Sequence, residues 1–254
     1  GRWEEKPDAT LLGELQDELR KVANVDARRP ISLQEWAAAM ENTNVVAGPP
    51  TVNDAFLEIA DELEMIQTFG IGYDHIDIPA CTRKGVIVCN VAEVYSEPVA
   101  QHVWALILDL TKHVSRSDRA VRAGTWVSQD WMGLQLRGKT LGIVGLGAIG
   151  GRVALKGRLA FDMRVLAYDP YVLPARAQLF GAELVTLKHL FKESDIVVIS
   201  VPLTPQTHHL VDKDLLSSMK RSAFIVNVCR GAVIDQAVLI EFLQNNLIGG
   251  AGLD

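Results

Sequence analysis

The chain has 254 residues, of which 48% are hydrophobic and 22% charged, and its formal net charge is −6. The length allows one large domain or two ordinary ones, and the composition is that of a soluble globular protein. The acidic balance gives no electrostatic footprint for nucleic acid, so any bound anion must be held by local groups.

In chain order, Gly1–Pro7 has no apolar core, so it does not read as a signal peptide. Leu11, Leu12, Leu15, Leu19 and Val22 recur every three to four residues and predict an amphipathic helix. Val45–Ala47 is a short apolar run closed by the turn signal Gly48-Pro49-Pro50. Asn53-Asp54 opens a helical run through Ala60, and 65–69 and 86–89 are strand candidates. An opening strand is expected to be missing. A long apolar helix from about Pro98 to Thr111 is apolar nearly all round, which predicts burial between domains or in a subunit interface. Residues 115–138 read as a polar connector. From Lys139 onward, strands are expected at 140–145, 164–168, 195–201, 223–228 and 248–254. Helices are expected at 148–160, 174–180, 187–192, 212–219 and 236–245. The alternation predicts two α/β domains with parallel sheets, at 1–96 and 97–254, both incomplete.

Cys81, Cys89 and Cys229 lie far from any C-x-x-C spacing, and an odd number argues against a disulfide framework. They read as small buried hydrophobes in a reducing compartment, and no metal site is expected. No stretch approaches the roughly eighteen apolar residues of a membrane span, so the expected location is cytoplasmic.

The strongest motif is Thr140-Leu141-Gly142-Ile143-Val144-Gly145-Leu146-Gly147-Ala148-Ile149-Gly150, a strand entering G-x-G-x-x-G and then a helix. Gly145 suits the tight turn, Gly147 a close approach of pyrophosphate, and Gly150 close packing of helix on strand. The helix start at Ala148 and Ile149 offers unpaired amides and a positive dipole end. Glycines at such a turn are also compatible with a purely structural role. The next strand, however, ends at Asp169, nineteen residues after Gly150, close to the spacing of a ribose-binding acid. A carboxylate there accepts ribose hydroxyls and repels a 2′-phosphate, which favours NAD over NADP.

Several further segments carry a resemblance. Leu136–Thr140 running into the glycine motif, Tyr168-Asp169-Pro170, Val201–Thr207 and Asn227–Asp235 resemble segments of the D-isomer-specific 2-hydroxyacid dehydrogenases. Gly70-Ile71-Gly72-Tyr73-Asp74-His75-Ile76-Asp77, Val99-Ala100-Gln101-His102 and Ala251-Gly252-Leu253-Asp254 look like the family's G-x-G-x-D-x-I-D, V-A-E-H and G-A-x-D segments. The resemblance implies a Rossmann-type doubly wound cofactor domain that binds NAD, and a flavodoxin-like α/β substrate domain. It implies that Arg230 is the catalytic arginine, gripping a substrate carboxylate and carbonyl with a bidentate, permanently charged fork. From the residues alone, Arg230 reads rather as a surface salt-bridge arginine. The resemblance places Ile71 and Gly72 amides on the substrate carboxylate. Val201, Pro202 and Thr207 would border the adenosine side, and Val228, Cys229, Arg230 and Asp254 the nicotinamide end.

The family takes its acid–base histidine and the orienting glutamate from beyond the G-A-x-D segment. The six histidines, His75, His102, His113, His189, His208 and His209, are therefore expected to be structural or exposed. Phosphoglycerate-oxidising members carry arginines near the first-domain strand ends, where this chain has Ala47–Pro50 and Thr68-Phe69. The expected substrate is thus a small unphosphorylated 2-keto or 2-hydroxy acid such as glyoxylate or hydroxypyruvate. The resemblance also suggests a homodimer through 98–111. The alternatives are an NAD-binding corepressor-like protein and a catalytically inactive dinucleotide-binding protein.

Overall fold

A computed structural model describes residues 16–26, 30, 32–91, 93–126 and 132–254. Leu11, Leu12 and Leu15 of the first predicted helix lie outside the described residues, while 16–20 are helical. The chain divides into two compact units, one of 1–69 and 75–90, the other of 70–74 and 91–254.

In the first unit, β1 (Val45–Ala47), β2 (Met65–Gln67) and β3 (Ile87–Cys89) form a parallel sheet in the order β1-β2-β3. Val46 pairs with Ile66, and Ile66 with Val88. Three helices accompany these strands, each started by a polar side chain that accepts an otherwise unpaired amide. Ser32 caps α1 (Leu33–Met40), Asn53 caps α2 (Asp54–Glu58) and Asp77 caps α3 (Ile78–Lys84). Met40, Val46, Phe56, Leu57, Ile66 and Cys81 form the heart of this unit's core. The expectation had included the strands and α2 but not α1 or α3.

The second unit opens with α4 (Ser96–Lys112) and α5 (Val114–Arg122). Strands and helices then alternate through β4 (Thr140–Val144), α6 (Ala148–Phe161), β5 (Arg164–Tyr168), α7 (Pro174–Leu179) and β6 (Ala182–Leu184). The second run comprises α8 (Leu187–Glu193), β7 (Ile196–Ile199), α9 (Lys213–Ser218), β8 (Phe224–Asn227), α10 (Gln236–Gln244) and β9 (Gly250–Leu253). The six strands are parallel, in the order β6-β5-β4-β7-β8-β9. That is the doubly wound order, with the direction of winding reversing between β4 and β7. The central strands are covered on both faces, which explains why Ile196–Ile199 is apolar and fully buried without alternation.

Two findings refine these expectations. First, α4 buries one face within its own unit and leaves the other exposed in the single chain. Ala100, Val103, Trp104, Ile107 and Thr111 are buried, while Gln101, His102 and Ala105 are exposed. Trp104 stacks on Phe161 of α6, with centroids 4.3 Å apart, and its indole donates to the Val153 carbonyl at 3.3 Å. Second, the first part of the supposed connector is helical as α5. It buries no residue and so lacks the apolar period that would have revealed it. Among the described residues, no helix is long and apolar enough to cross a membrane.

Candidate functional site at the carboxyl edge of the larger sheet

In an open α/β sheet, ligands bind beyond the carboxyl ends of the strands where the winding reverses. Here β4 leaves that edge at Gly145 with φ +93°, a left-handed conformation that L side chains rarely adopt. A Cβ on Gly145 would lie 2.7 Å from the Ser200 carbonyl oxygen at the end of β7. A Cβ on Gly150 would collide with the Gly145 carbonyl oxygen and stand 2.7 Å from Ser200 Oγ. Gly147 differs: it is exposed, and a Cβ there would meet nothing within 4 Å. It is also the N-cap of the fourteen-residue helix α6, and no side chain caps that end. The N–H groups of Ala148, Ile149 and Gly150 have no intrahelical acceptor by helix geometry. An open space over glycine, lined by unpaired amides at the positive end of a helix dipole, fits the pyrophosphate of a dinucleotide.

Asp169, at the end of β5, closes the turn from the other side. Its Oδ2 accepts the Leu146 amide at 2.9 Å, and its Oδ1 accepts the Tyr171 amide at 2.9 Å. An ionised carboxylate has about four acceptor positions, so two amides leave capacity for ribose hydroxyls. Ser200 Oγ donates to the Gly145 carbonyl at 2.7 Å and ties β7 to the glycine turn. In the following loop, Val201 is half-buried and Pro202 exposed. The Thr207 hydroxyl accepts the Thr204 amide at 2.8 Å and donates to the Pro202 carbonyl at 2.6 Å, so it closes the loop on itself.

The end of β8 carries the arginine. Asn227, only 4% exposed, accepts the Cys229 amide at 3.0 Å and the Cys229 thiol at 2.9 Å, and donates to the Arg230 carbonyl at 3.0 Å. This clamp fixes the 227–230 turn. Burial pushes the Cys229 thiol above its ordinary pKa, so it is protonated at neutral pH and acts as a donor. The Arg230 guanidinium donates from Nε to Asp74 Oδ1 at 2.9 Å, with Nη2 in an ion pair 2.8 Å from the same oxygen, and from Nη1 to the Cys229 carbonyl at 2.9 Å. It lies against the backbone of Gly72, where a Cβ would overlap Nη2 and come within 2.9 Å of Cζ. One strand further along, the Asp254 amide donates to the Asn227 carbonyl at 3.1 Å. The Asp254 carboxylate stands 3.9 Å from His102 Nε2, both side chains being exposed.

Residues 104–254 match the sequence model of the D-isomer specific 2-hydroxyacid dehydrogenase NAD binding domain. The chain belongs to that family. Among its relatives, the D-3-phosphoglycerate dehydrogenase of Synechocystis sp. is 35% identical over 240 residues, covering 94% of this chain and 43% of the relative. The glyoxylate reductase of Pyrococcus furiosus is 37% identical over 210 residues, covering 80% of this chain and 62% of the relative. The chain therefore spans under two thirds of the length of either. A solved structure of D-lactate dehydrogenase from Aquifex aeolicus, complexed with NAD and lactic acid, superposes with a TM-score of 0.85 at 29% identity. That superposition covers 97% of this chain and 74% of the other.

Within this dehydrogenase fold, the residues singled out from sequence in the second unit fall at or just beyond strand ends of one sheet edge. Gly145–Gly150 follow β4, Asp169 follows β5, Val201–Thr207 follow β7, Val228–Arg230 follow β8 and Asp254 follows β9. Ile71 and Gly72 belong to the short 70–74 segment of the same unit. Sequence reasoning missed Asn227, Ser200 and Asp74 as supports of the site. Asn227 and Asp74 lay inside quoted motifs, and a polar residue ending an otherwise apolar strand was the available signal for Asn227 and Ser200.

Proposed function

We propose that this protein transfers hydride between NADH and a small unphosphorylated 2-keto acid, of the glyoxylate or hydroxypyruvate type. The observation that carries this reading is a guanidinium fixed at the end of β8, on the same sheet edge as the uncapped α6 terminus. The Ala148 and Ile149 amides hold the pyrophosphate, and Asp169 holds the adenosine ribose. Val201, Pro202 and Thr207 border the adenosine side, and Val228, Cys229 and Asp254 border the nicotinamide end. When bound, NADH supplies the hydride.

Arg230 grips the substrate carboxylate and the carbonyl oxygen, and the amides of Ile71 and Gly72 add donors to the carboxylate. As hydride reaches the carbonyl carbon, negative charge grows on the oxygen, and a cation that cannot deprotonate stabilises it. The accompanying proton is expected from a histidine C-terminal to Asp254, as the family resemblance implies.

The unphosphorylated substrate is favoured by the strand ends of the first unit. At β1 and β2 the segments are Ala47-Gly48-Pro49-Pro50 and Thr68-Phe69, and the Phe69 ring packs directly on Gly48. Neither segment itself supplies a guanidinium for a phosphate dianion. The test is NADH consumption by the full-length protein against a panel of 2-keto acids, together with NAD reduction on 3-phosphoglycerate, D-glycerate and glycolate. Turnover of glyoxylate or hydroxypyruvate is expected. Faster oxidation of 3-phosphoglycerate than of D-glycerate or glycolate would overturn the substrate assignment. Saturable NADH binding without turnover of any of them would leave a non-catalytic NAD-binding protein.

A further inference from the structure

The five N–H groups of the Arg230 guanidinium are unevenly committed. Nε donates to Asp74 Oδ1 and Nη2 stands 2.8 Å from the same oxygen, so one edge of the fork is taken by a carboxylate of the protein itself. Nη1 donates to the Cys229 carbonyl. The face rests on Gly72, at a distance only a residue without Cβ allows. Two donors are thus hydrogen-bonded and a third is held in the ion pair, and the remaining two sit one each on Nη1 and Nη2. Those two atoms form the end of the fork, the geometry that grips two planar oxygens side by side.

From this we infer that Asp74 is a positioning residue for the substrate-gripping arginine. It acts from 156 residues away in sequence. An arginine side chain 43% exposed on a loop has many rotamers, and ordering a long side chain costs conformational entropy each time a ligand binds. Asp74 and the Cys229 carbonyl meet that cost in the folded protein, so the fork's outer end is already aimed before substrate arrives. The charge balance points the same way. A carboxylate on the inner edge partly neutralises the guanidinium without removing the two outer donors, and so holds it in place between turnovers. The inference rests on the reading of Arg230 as the substrate anchor, but its geometric half is measurable without substrate.

The experiment compares Asp74→Ala and Asp74→Asn with the wild type in the full-length protein. In Asp74→Ala, KM for the keto acid is expected to rise about ten- to a hundred-fold, the scale of a lost hydrogen bond to a charged group. The change in kcat should be smaller, and the NADH Kd and Tm should stay near wild type. Asp74→Asn keeps an oxygen acceptor for Nε–H and should recover most of the lost KM. In nitrogen-15 NMR of the cofactor-free protein, the Arg230 Nε–H is expected to exchange slowly in wild type and Asp74→Asn, and rapidly in Asp74→Ala.

An unchanged KM in Asp74→Ala overturns the inference. So does a lowered KM, which would make Asp74 a competitor that substrate must displace. Rapid exchange of the wild-type Nε–H overturns it too. If Asp74→Ala does not fold, Asp74→Asn with no change in KM and rapid Nε–H exchange does the same. A wild type that turns over no 2-keto acid defeats the hydride-transfer reading, and the NMR comparison then decides the positioning claim by itself.

Discussion

Gly147 and Gly150 stand three residues apart, and alanine at the two positions is expected to fail for opposite reasons. At Gly150 a methyl group would overlap the Gly145 carbonyl and crowd Ser200 Oγ, so Gly150→Ala should cost about 1–3 kcal/mol in urea unfolding. At Gly147 the same methyl meets nothing, and the backbone (φ −78°) accommodates any residue. Gly147→Ala should therefore unfold like wild type, yet bind NADH at least about ten-fold more weakly, a loss near 1.4 kcal/mol, because the methyl would fill the space proposed for the pyrophosphate. Calorimetry showing equal affinity for Gly147→Ala and wild type would remove the phosphate from that turn. The glycines and Asp169 were legible because their spacing is local. Ser200, Asn227 and Asp74 were not, since Ser200 and Asp74 act on partners 55 and 156 residues away and Asn227 on a turn whose shape no pattern displays.

At the scale of elements, the apolar strands and the helices between them could be read from period and punctuation. The helices that escaped were short or mostly polar: α1 and α3 are brief, and α5 carries Val114, Ala120 and Val121 among six polar residues. Their caps were the readable signal, Ser32 before α1 and Asp77 before α3, with Gly85 closing the latter. The α4–α5 junction has its own electrostatics. Asp109 accepts the Ser115 amide at 2.6 Å, and that bond holds its carboxyl below the usual carboxylate range, helped by Arg119 and His113. The folded pKa is lower than the unfolded one, so the contribution is complete above the unfolded value of about 4 and is lost as pH falls through the folded value. Chemical denaturation between about pH 6 and 2.5 should show a shallower acid decline for Asp109→Asn than for wild type. Parallel curves for the two proteins would place the acid sensitivity elsewhere.

For the molecule as a whole, the class was legible because β/α alternation with parallel connections admits few arrangements. The strand order β6-β5-β4-β7-β8-β9 was set by the structure and agrees with the doubly wound class that the resemblance implied. The allegiance of residues 70–74 was not legible. They lie between β2 and α3 in sequence, yet they belong to the compact unit that contains Arg230. A second whole-molecule property follows from ligand linkage. A ligand that binds only the native state at a hundred times its Kd adds about 2.7 kcal/mol. For a chain of this length that corresponds to a rise in Tm of roughly 5–10 °C. Differential scanning calorimetry with and without NADH should show the shift, and an unmoved transition would deny native-state binding.

Among the described residues, six helices begin under a serine, threonine, asparagine or aspartate side chain, whereas α4, α5, α6 and α7 have no side-chain cap, and α6 alone of these four begins at a glycine, Gly147. On the proposed function, the pyrophosphate of the dinucleotide would finish that helix, and the empty protein would be the one more easily opened. Limited proteolysis with and without NADH would then cut the loaded protein more slowly, and equal rates would count against a dinucleotide at that helix end.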